Sequence, residues 1–274
     1  MTAPAATSLD DLGALRVQGA DAVKFLQGQL SNDVARLSRS QPLLAGLHNP
    51  QGRVVALLRL VSLGTDDILA ILPREMVAAV ITRLSKYILR AKVTLSDASA
   101  EWRVTGVVGS SGWQPPVRDQ DRSILIDTNP DRWWVVSPAG ASPDAIASLA
   151  TVDRETWRAA DIAAGLPQVH ARTSEAFVAQ MLNLDELGGI AFDKGCYTGQ
   201  EVIARAHYRG RVKRRLQRFH IPGARLSPGD SGTLTDGRAF QVVESVAAAD
   251  GGSDVLAVAP LSLGEDTPES SATS

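Results

Sequence analysis

Phe192-Asp193-Lys194-Gly195-Cys196-Tyr197-Thr198-Gly199-Gln200-Glu201 contains the only cysteine in a chain of 274 residues, set between two glycines and close to a lysine. Thr198 and Glu201 have the Thr-x-x-Glu spacing of a capping box, in which two side chains satisfy orphan backbone donors at a helix start. The spacing predicts a helix entered at Thr198, with Cys196 just ahead of it in the partial positive charge of free N–H groups. That field and the neighbouring Lys194 ammonium are expected to favour thiolate over thiol. By residue type alone, a lone cysteine is instead a small buried hydrophobe. A purely structural cysteine needs neither flanking glycines nor a cation, so both readings stay open at this point.

Downstream of Glu201 the helix is expected to run through Ala206. Residues 209–220 then carry Arg209, Arg211, Lys213, Arg214, Arg215 and Arg218 with no acid, and Val212, Leu216 and Phe219 make them a strand. Residues 226–234, 239–246 and 254–259 are further strands of a small all-β unit. From Gly264 the tail is rich in Glu, Asp, Ser, Thr and Pro and is expected to be disordered.

Upstream, residues 1–10 are small and polar and read as a loose arm. Leu15-Arg16-Val17 is a short strand ending at Gly19. Val23, Leu26, Leu30, Val34 and Leu37 recur at helical spacing after Asp21, a candidate N-cap. Asn49-Pro50-Gln51-Gly52 is a turn into a buried strand over 53–63, with residues 68–72 as its hairpin partner. A helical face runs from Met76 through Ile88, and strands are predicted at 91–96 and 102–108. Residues 109–121 read as a loop. Residues 123–127 and 132–137 form a second hairpin, in which Trp133 and Trp134 must face opposite ways. Helices follow at 143–149 and 154–164, the latter ended by Gly165. Helices and strands do not alternate regularly, so the fold class is α+β with largely antiparallel sheets.

Hydrophobic content of 44%, charged content of 21% and a net charge of −2 describe an ordinary globular chain without global attraction for nucleic acid or membrane. One cysteine excludes an internal disulfide framework and fits a reducing compartment. No signal peptide is evident, and no apolar run reaches the roughly 18 residues that span a bilayer. A cytoplasmic protein is expected. Phosphate-loop, dinucleotide-binding and nucleophile-elbow motifs are missing, and the four histidines are scattered, so no protein metal site is expected.

Lys194-Gly195-Cys196-Tyr197-Thr198-Gly199-Gln200-Glu201 resembles, without a gap, the signature of the YgfZ family of folate-binding proteins, which support iron–sulfur cluster assembly or repair. The likeness continues through Val202-Ile203-Ala204-Arg205-Ala206 and Tyr208-Arg209-Gly210. It precedes the motif in Ala164-Gly165-Leu166-Pro167 and in Asn183-Leu184-Asp185-Glu186-Leu187-Gly188-Gly189-Ile190-Ala191-Phe192. Phe25-Leu26-Gln27-Gly28-Gln29, Gly52-Arg53 and Leu84-Ser85-Lys86-Tyr87 extend it toward the N-terminus.

The resemblance implies the fold of the related aminomethyltransferase of the glycine cleavage system: ferredoxin-like folate-binding lobes around a central hole, with a C-terminal β-barrel. On that basis residues 1–208 form the folate-binding region of two interleaved lobes, the second at roughly 50–150. Residues 209–264 form the barrel and 265–274 the tail. Tetrahydrofolate is the implied cofactor, and iron–sulfur client enzymes are the implied partners of a monomer. Trp157 falls where the family places one ligand-contacting tryptophan, although by pattern alone it is a core aromatic. Leu12 aligns with the other family tryptophan, and Ala56 aligns with the aminomethyltransferase's catalytic aspartate. Aminomethyl transfer by that route is therefore not expected. The basic stretch is first of all a solvated face. Arg205, Arg209 and Arg211 are the alternative, as receivers of a folate glutamate tail. Direct tRNA binding is the weakest reading, given the net charge.

The leading expectation is a tetrahydrofolate-binding accessory factor that uses Cys196 to maintain iron–sulfur clusters and so supports tRNA modification indirectly. The alternatives are a folate-dependent one-carbon transferase acting on tRNA or protein, and a folate-binding module without thiol chemistry.

Overall fold

The computed structural model describes residues 3–109, 115, 123–129, 131–141, 143–210 and 212–262. Most of the loop expected at 109–121, the tail from 265 and Arg211 lie outside these residues. In chain order the N-terminal elements are β1 (Ala5–Ser8), β2 (Leu12–Gln18), α1 (Ala22–Gln27), β3 (Leu43–His48), β4 (Val54–Gly64), β5 (Asp67–Pro73), α2 (Val77–Ser85) and β6 (Thr94–Asp97). There follow β7 (Trp102–Val108), β8 (Ile124–Asn129), β9 (Arg132–Pro138), α3 (Asp144–Ala147), β10 (Ala150–Thr151) and α4 (Arg154–Ala163). The last elements are α5 (Gln200–Tyr208), β11 (Arg214–Ile221), β12 (Ser231–Thr233), β13 (Ala239–Ala247) and β14 (Ser253–Pro260).

The first sheet has the antiparallel order β3-β4-β5-β2-β6. The near-continuous apolar run of β4 follows from burial on both faces of this sheet. Ala56, Leu58 and Leu60 pack with Leu15, Leu26, Val80 and Leu84 on the helix side. Val54 and Leu57 join Leu184, Tyr197 and Ile203 on the other. Nearer its other end, the same face meets the second sheet.

That second sheet has the order β10-β1-β7-β9-β8. Strands from the interval 50–150 therefore divide between the two sheets, β4 to β6 in the first and β7 to β10 in the second. Leu12, Val61, Leu69 and Ile71 of the first sheet form one core with Val104, Ile126, Trp134, Val136 and Trp157. Trp133 and Trp134 alternate in β9 as expected, yet both are buried, because each face of the sheet is covered.

Three local expectations are corrected. The N-terminal arm is not loose: β1 pairs with both β7 and β10, and Ala5 and Thr7 are buried. The helix after Asp21 stops at Gln27 instead of reaching Leu37, and Leu30 instead bridges to Leu47. The Asp21 carboxylate accepts from the Lys92 backbone N–H (2.8 Å) and makes no cap hydrogen bond. The predicted strand over 226–234 narrows to the three residues of β12.

The C-terminal unit is an antiparallel sheet in the order β11-β14-β13-β12. Leu216, Val243, Val246, Leu256 and Val258 pack toward Ile162 of α4 and Ile203 of α5. A register shift between Val242 and Glu244 interrupts the β13–β14 ladder, and bulges of this kind re-aim side chains. Glu244 thereby meets His170, on the connection between α4 and α5.

Candidate functional site

The Cys196 loop is held by backbone approach. Gly199 is the N-cap of α5 with φ +82°, and no side chain caps the helix. The capping-box expectation for Thr198 and Glu201 is thus corrected: the helix opens one residue later, and Glu201 is exposed. The cause is contact with the Asn49–Gly52 turn. A Cβ at Gly199 would lie 2.6 Å from the Asn49 carbonyl oxygen and 3.0 Å from the Gly52 Cα. Gly52, at φ +71°, is in turn covered by Val202. Only glycine enters this left-handed, crowded position without strain.

Lys194 ties the loop to the N-terminal lobe. Its ammonium donates to the carbonyls of Gln27 (2.8 Å), Leu30 (2.6 Å) and Asn32 (2.8 Å). It also stands 5.0 Å from the Tyr197 ring centroid. Burial pulls the Lys194 pKa down to about 8. Three acceptors nonetheless hold the ammonium form, since a neutral amine has two protons to offer. Its donors are therefore committed to the scaffold. This explains the short α1: the Gln27 and Leu30 carbonyls that a longer helix would have used point at Lys194.

Tyr197 is buried, which pushes its phenol up to about 12. Beside it lies His48, at 6.2 Å between ring centroids. His48 is 1% exposed, and among the described residues neither ring nitrogen has a hydrogen-bond partner. Burial lowers its pKa to about 4, opposed weakly by the Gly46 backbone. Cys196 is a free, exposed thiol. A Cβ at Gly195 would meet nothing within 4 Å, so packing alone does not require this glycine.

A second site forms where the three sheets meet. Leu12, Trp134, Trp157 and Leu166 wall a narrow pocket with room for about 40 Å³, partly open to solvent, with Asp11, Arg158, Asp161 and His170 among its polar lining. The Trp157 ring lies against the β7 backbone, where a Cβ on Gly106 would approach it to 2.8 Å. The ring also meets a cation. The Arg132 guanidinium carbon stands 4.1 Å from the Trp157 centroid, and Arg132 Nη2 donates to Asp161 Oδ1 at 2.8 Å. Arg59 is over Trp134 at 4.9 Å, with its pKa lowered to about 10 by burial. Burial raises the Asp161 carboxyl to about 6 against the opposing pull of Arg132.

Several buried polar atoms here have no hydrogen-bond partner among the described residues: Arg132 Nε and Nη1, Trp134 Nε1 and Asp11 Oδ1, the last 3.9 Å from the Arg154 guanidinium. At the mouth, His170 Nε2 is 2.8 Å from Glu244 and Nδ1 is 3.4 Å from Glu75. Carboxylates at both ring nitrogens call for the imidazolium, and the His170 pKa is raised accordingly, against desolvation.

The structure thus brings Leu12 and Trp157 into one pocket. Arg205 lies elsewhere, on an exposed face of α5, and Cys196 and Lys194 belong to the separate loop. Ala56 is fully buried in the helix-side core of the first sheet. Sequence reasoning missed Arg132, Asp161, Trp134 and His48. The adjacent tryptophans were its one visible signal, because the Arg132–Asp161 pair forms only when β9 and α4 come together.

The tRNA-modifying protein YgfZ of Enterobacter sp. (strain 638) is 36% identical over 228 residues, covering 76% of this chain and 69% of that protein. The protein so named in Hamiltonella defensa subsp. Acyrthosiphon pisum (strain 5AT) is 33% identical, with 76% and 67% covered. The chain belongs to the YgfZ family. An uncharacterised protein of Haemophilus influenzae shares the similarity, at 33% identity over 220 residues. No protein-family profile matches the chain. The fold of this YgfZ-family chain is that of glycine cleavage system aminomethyltransferase T from Bartonella henselae, with a TM-score of 0.71 over 94% of this chain and 79% of that one. At 14% identity that match speaks for the aminomethyltransferase-like fold alone. Among the described residues of the YgfZ-family chain, no helix is long and apolar enough to cross a membrane.

Proposed function

We propose that this chain is a tetrahydrofolate-binding accessory factor for assembly or repair of iron–sulfur clusters on client enzymes, and through them for tRNA modification, with Cys196 as its working thiol. The observation that carries the folate part is the convergence of Leu12 and Trp157, the two positions aligned with the family's ligand tryptophans, on one aromatic pocket. Tetrahydrofolate fits the residues present. A pterin is flat and rich in hydrogen-bonding atoms, and the pocket is lined by two indoles and by Asp11, Arg158, Asp161 and His170, with the Trp134 N–H left without an acceptor. Such a donor costs about 1–3 kcal/mol when left without an acceptor. When bound, tetrahydrofolate supplies a reduced pterin able to carry a one-carbon unit.

The protein's own residues bind and orient it. The Trp157 ring, held by Gly106 and Arg132, lines the pocket, and Arg158 and His170 line it where a carboxylate tail would leave. Ala56 is apolar and buried, so the alternative of a one-carbon transferase on tRNA or protein lacks its acid at that position. Cys196 works at the surface. One thiol holds no cluster alone, so the client contributes the remaining ligands, and the open space at Gly195 lets its backbone come close. The protein acts as a cytoplasmic monomer.

A bacterial strain lacking its own YgfZ-family protein, supplied with the Cys196→Ser chain, is expected to keep its iron–sulfur enzyme defect at normal protein levels. Full rescue by that variant removes the thiol from the account.

A further inference from the structure

We propose that the His170 side chain is a proton-operated latch on the aromatic pocket, clamped between Glu75 and Glu244 and swinging aside when its imidazolium loses a proton. Arg158, His170 and Glu244 line both the narrow inner pocket and a second, outer cavity of about 340 Å³ bounded by Glu75, Arg172 and Ser227. They are therefore the partition between the two. Ligand sites ordinarily offer about 300–1,000 Å³, whereas the inner pocket has room for about 40 Å³. A ring-sized ligand enters it only once that partition moves. The latch does not depend on which ring the pocket holds.

The backbone of the partition is fixed, so the side chain is what moves. Val169 and Thr173, which flank His170, are buried. The His170 backbone N–H donates to Thr173 Oγ1 at 2.9 Å, and its carbonyl accepts from the Thr173 and Ser174 N–H groups. The imidazole, by contrast, spans two parts of the fold. Nε2 is 2.8 Å from Glu244, at the β13 bulge, and Nδ1 is 3.4 Å from Glu75, in the turn before α2. Only the imidazolium donates at both nitrogens. Neutral imidazole has one proton for two carboxylates, so it keeps the shorter bond to Glu244. Glu75 then faces a lone pair, and that repulsion turns the ring out of the partition.

Desolvation opposes the imidazolium, but the bond to Glu244 and the charges of Glu244 and Glu75 outweigh it. Arg158 on α4 acts against them, and the balance raises the His170 pKa above its ordinary 6.5. Arg158 is engaged by Asp11 at 2.8 Å and Arg172 by Asp230 at 2.9 Å, so both cations have carboxylates of their own. Latching is therefore complete below pH 6.5 and is lost as pH rises through the raised pKa. Beyond it the latched fraction falls toward tenfold per pH unit.

The test is acrylamide quenching of tryptophan fluorescence in the full chain from pH 6 to pH 9. A neutral quencher reads access to Trp134 and Trp157, both buried behind the latch. Wild type is expected to be quenched weakly at pH 6 and more strongly as pH rises. His170→Gln is expected to be quenched at pH 6 as wild type is at pH 9, with the rise lost. Glu75→Gln is expected to do the opposite: its amide donates to a neutral imidazole, so quenching stays weak at every pH. Asp161 and Lys194 titrate in the same range but remain in both variants, so the differences isolate the latch. A flat wild-type profile overturns the proposal, as does a rise shared by wild type and His170→Gln. Should His170→Gln fail to fold, the exposed Glu75 supplies the second arm, and a Glu75→Gln profile that rises like wild type overturns the proposal too.

Discussion

Gly199→Ala is expected to lower stability by about 3 kcal/mol, the sum of roughly 1–2 kcal/mol for a left-handed alanine and 1–3 kcal/mol for overpacking. The melting temperature should fall by roughly 6–12 °C for a chain of this size. Both terms follow from the φ of +82° and from the Asn49 and Gly52 backbone atoms that a Cβ would strike. Backbone does not rotate aside as a flexible side chain does, so the α5 entry or the Asn49–Gly52 turn must move. Gly195→Ala, four residues earlier, is the internal control. With open space around it, alanine there should change stability by no more than about 0.5 kcal/mol. Equal melting temperatures for the two variants would contradict the proposed docking of the loop. If Gly195→Ala is stable yet fails in cells, that glycine serves an encounter outside the chain.

The second large effect is acid sensitivity at His48. Its folded-state pKa, about 4, lies below the ordinary 6.5, so the unfolded chain takes up the proton first. Stability from His48 is therefore complete above pH 6.5, declines as pH falls, and is gone near pH 4. The interval of about 2.5 units corresponds to about 3 kcal/mol. Asp161 acts oppositely over nearly the same range. Raised to about 6, it takes its proton in the folded state first, so acid relieves the burial of its charge. Total stability consequently changes less than either group alone predicts.

The contrast between wild type and His48→Gln in urea unfolding isolates the histidine. Whatever gap the two show at pH 7.5 should shift by about 3 kcal/mol in favour of the variant at pH 4. A gap independent of pH would show that His48 is protonated in the folded state or solvated, contrary to its burial.

Much of the strand framework was legible because the cues were local. The turn at Asn49–Gly52, the apolar run of β4 and the end of α4 at Gly165 each depend on residues a few positions apart. β1 escaped notice because Ala-Ala-Thr-Ser has no hydrophobic period, and its burial comes from pairing with strands about 100 residues away. The helix after Asp21 had the right period, yet its carbonyls bond to an ammonium 164 residues further on. Thr198 and Glu201 had the right spacing, but tertiary contact at Gly199 decided where α5 begins. The same limit applies to the pocket. Leu12 and Trp157 were flagged by resemblance, whereas the charges that surround them are assembled only by the meeting of β9, α4 and β4. The Cys196 stretch was the reverse case. It stood out by one cysteine and its glycines, and the structure revised the supporting physics, from a capped helix start to a glycine-locked loop held by Lys194.

The account turns on whether this pocket holds a folate. Isothermal titration of tetrahydrofolate into the full chain at pH 7.5 tests that most directly, with Trp157→Phe and Trp157→Ala alongside and their folding checked by thermal melting. A single saturable site on wild type is predicted, weakened in Trp157→Phe and lost in Trp157→Ala. No saturable heat from folded wild-type protein, or equal binding by a folded Trp157→Ala variant, would contradict it.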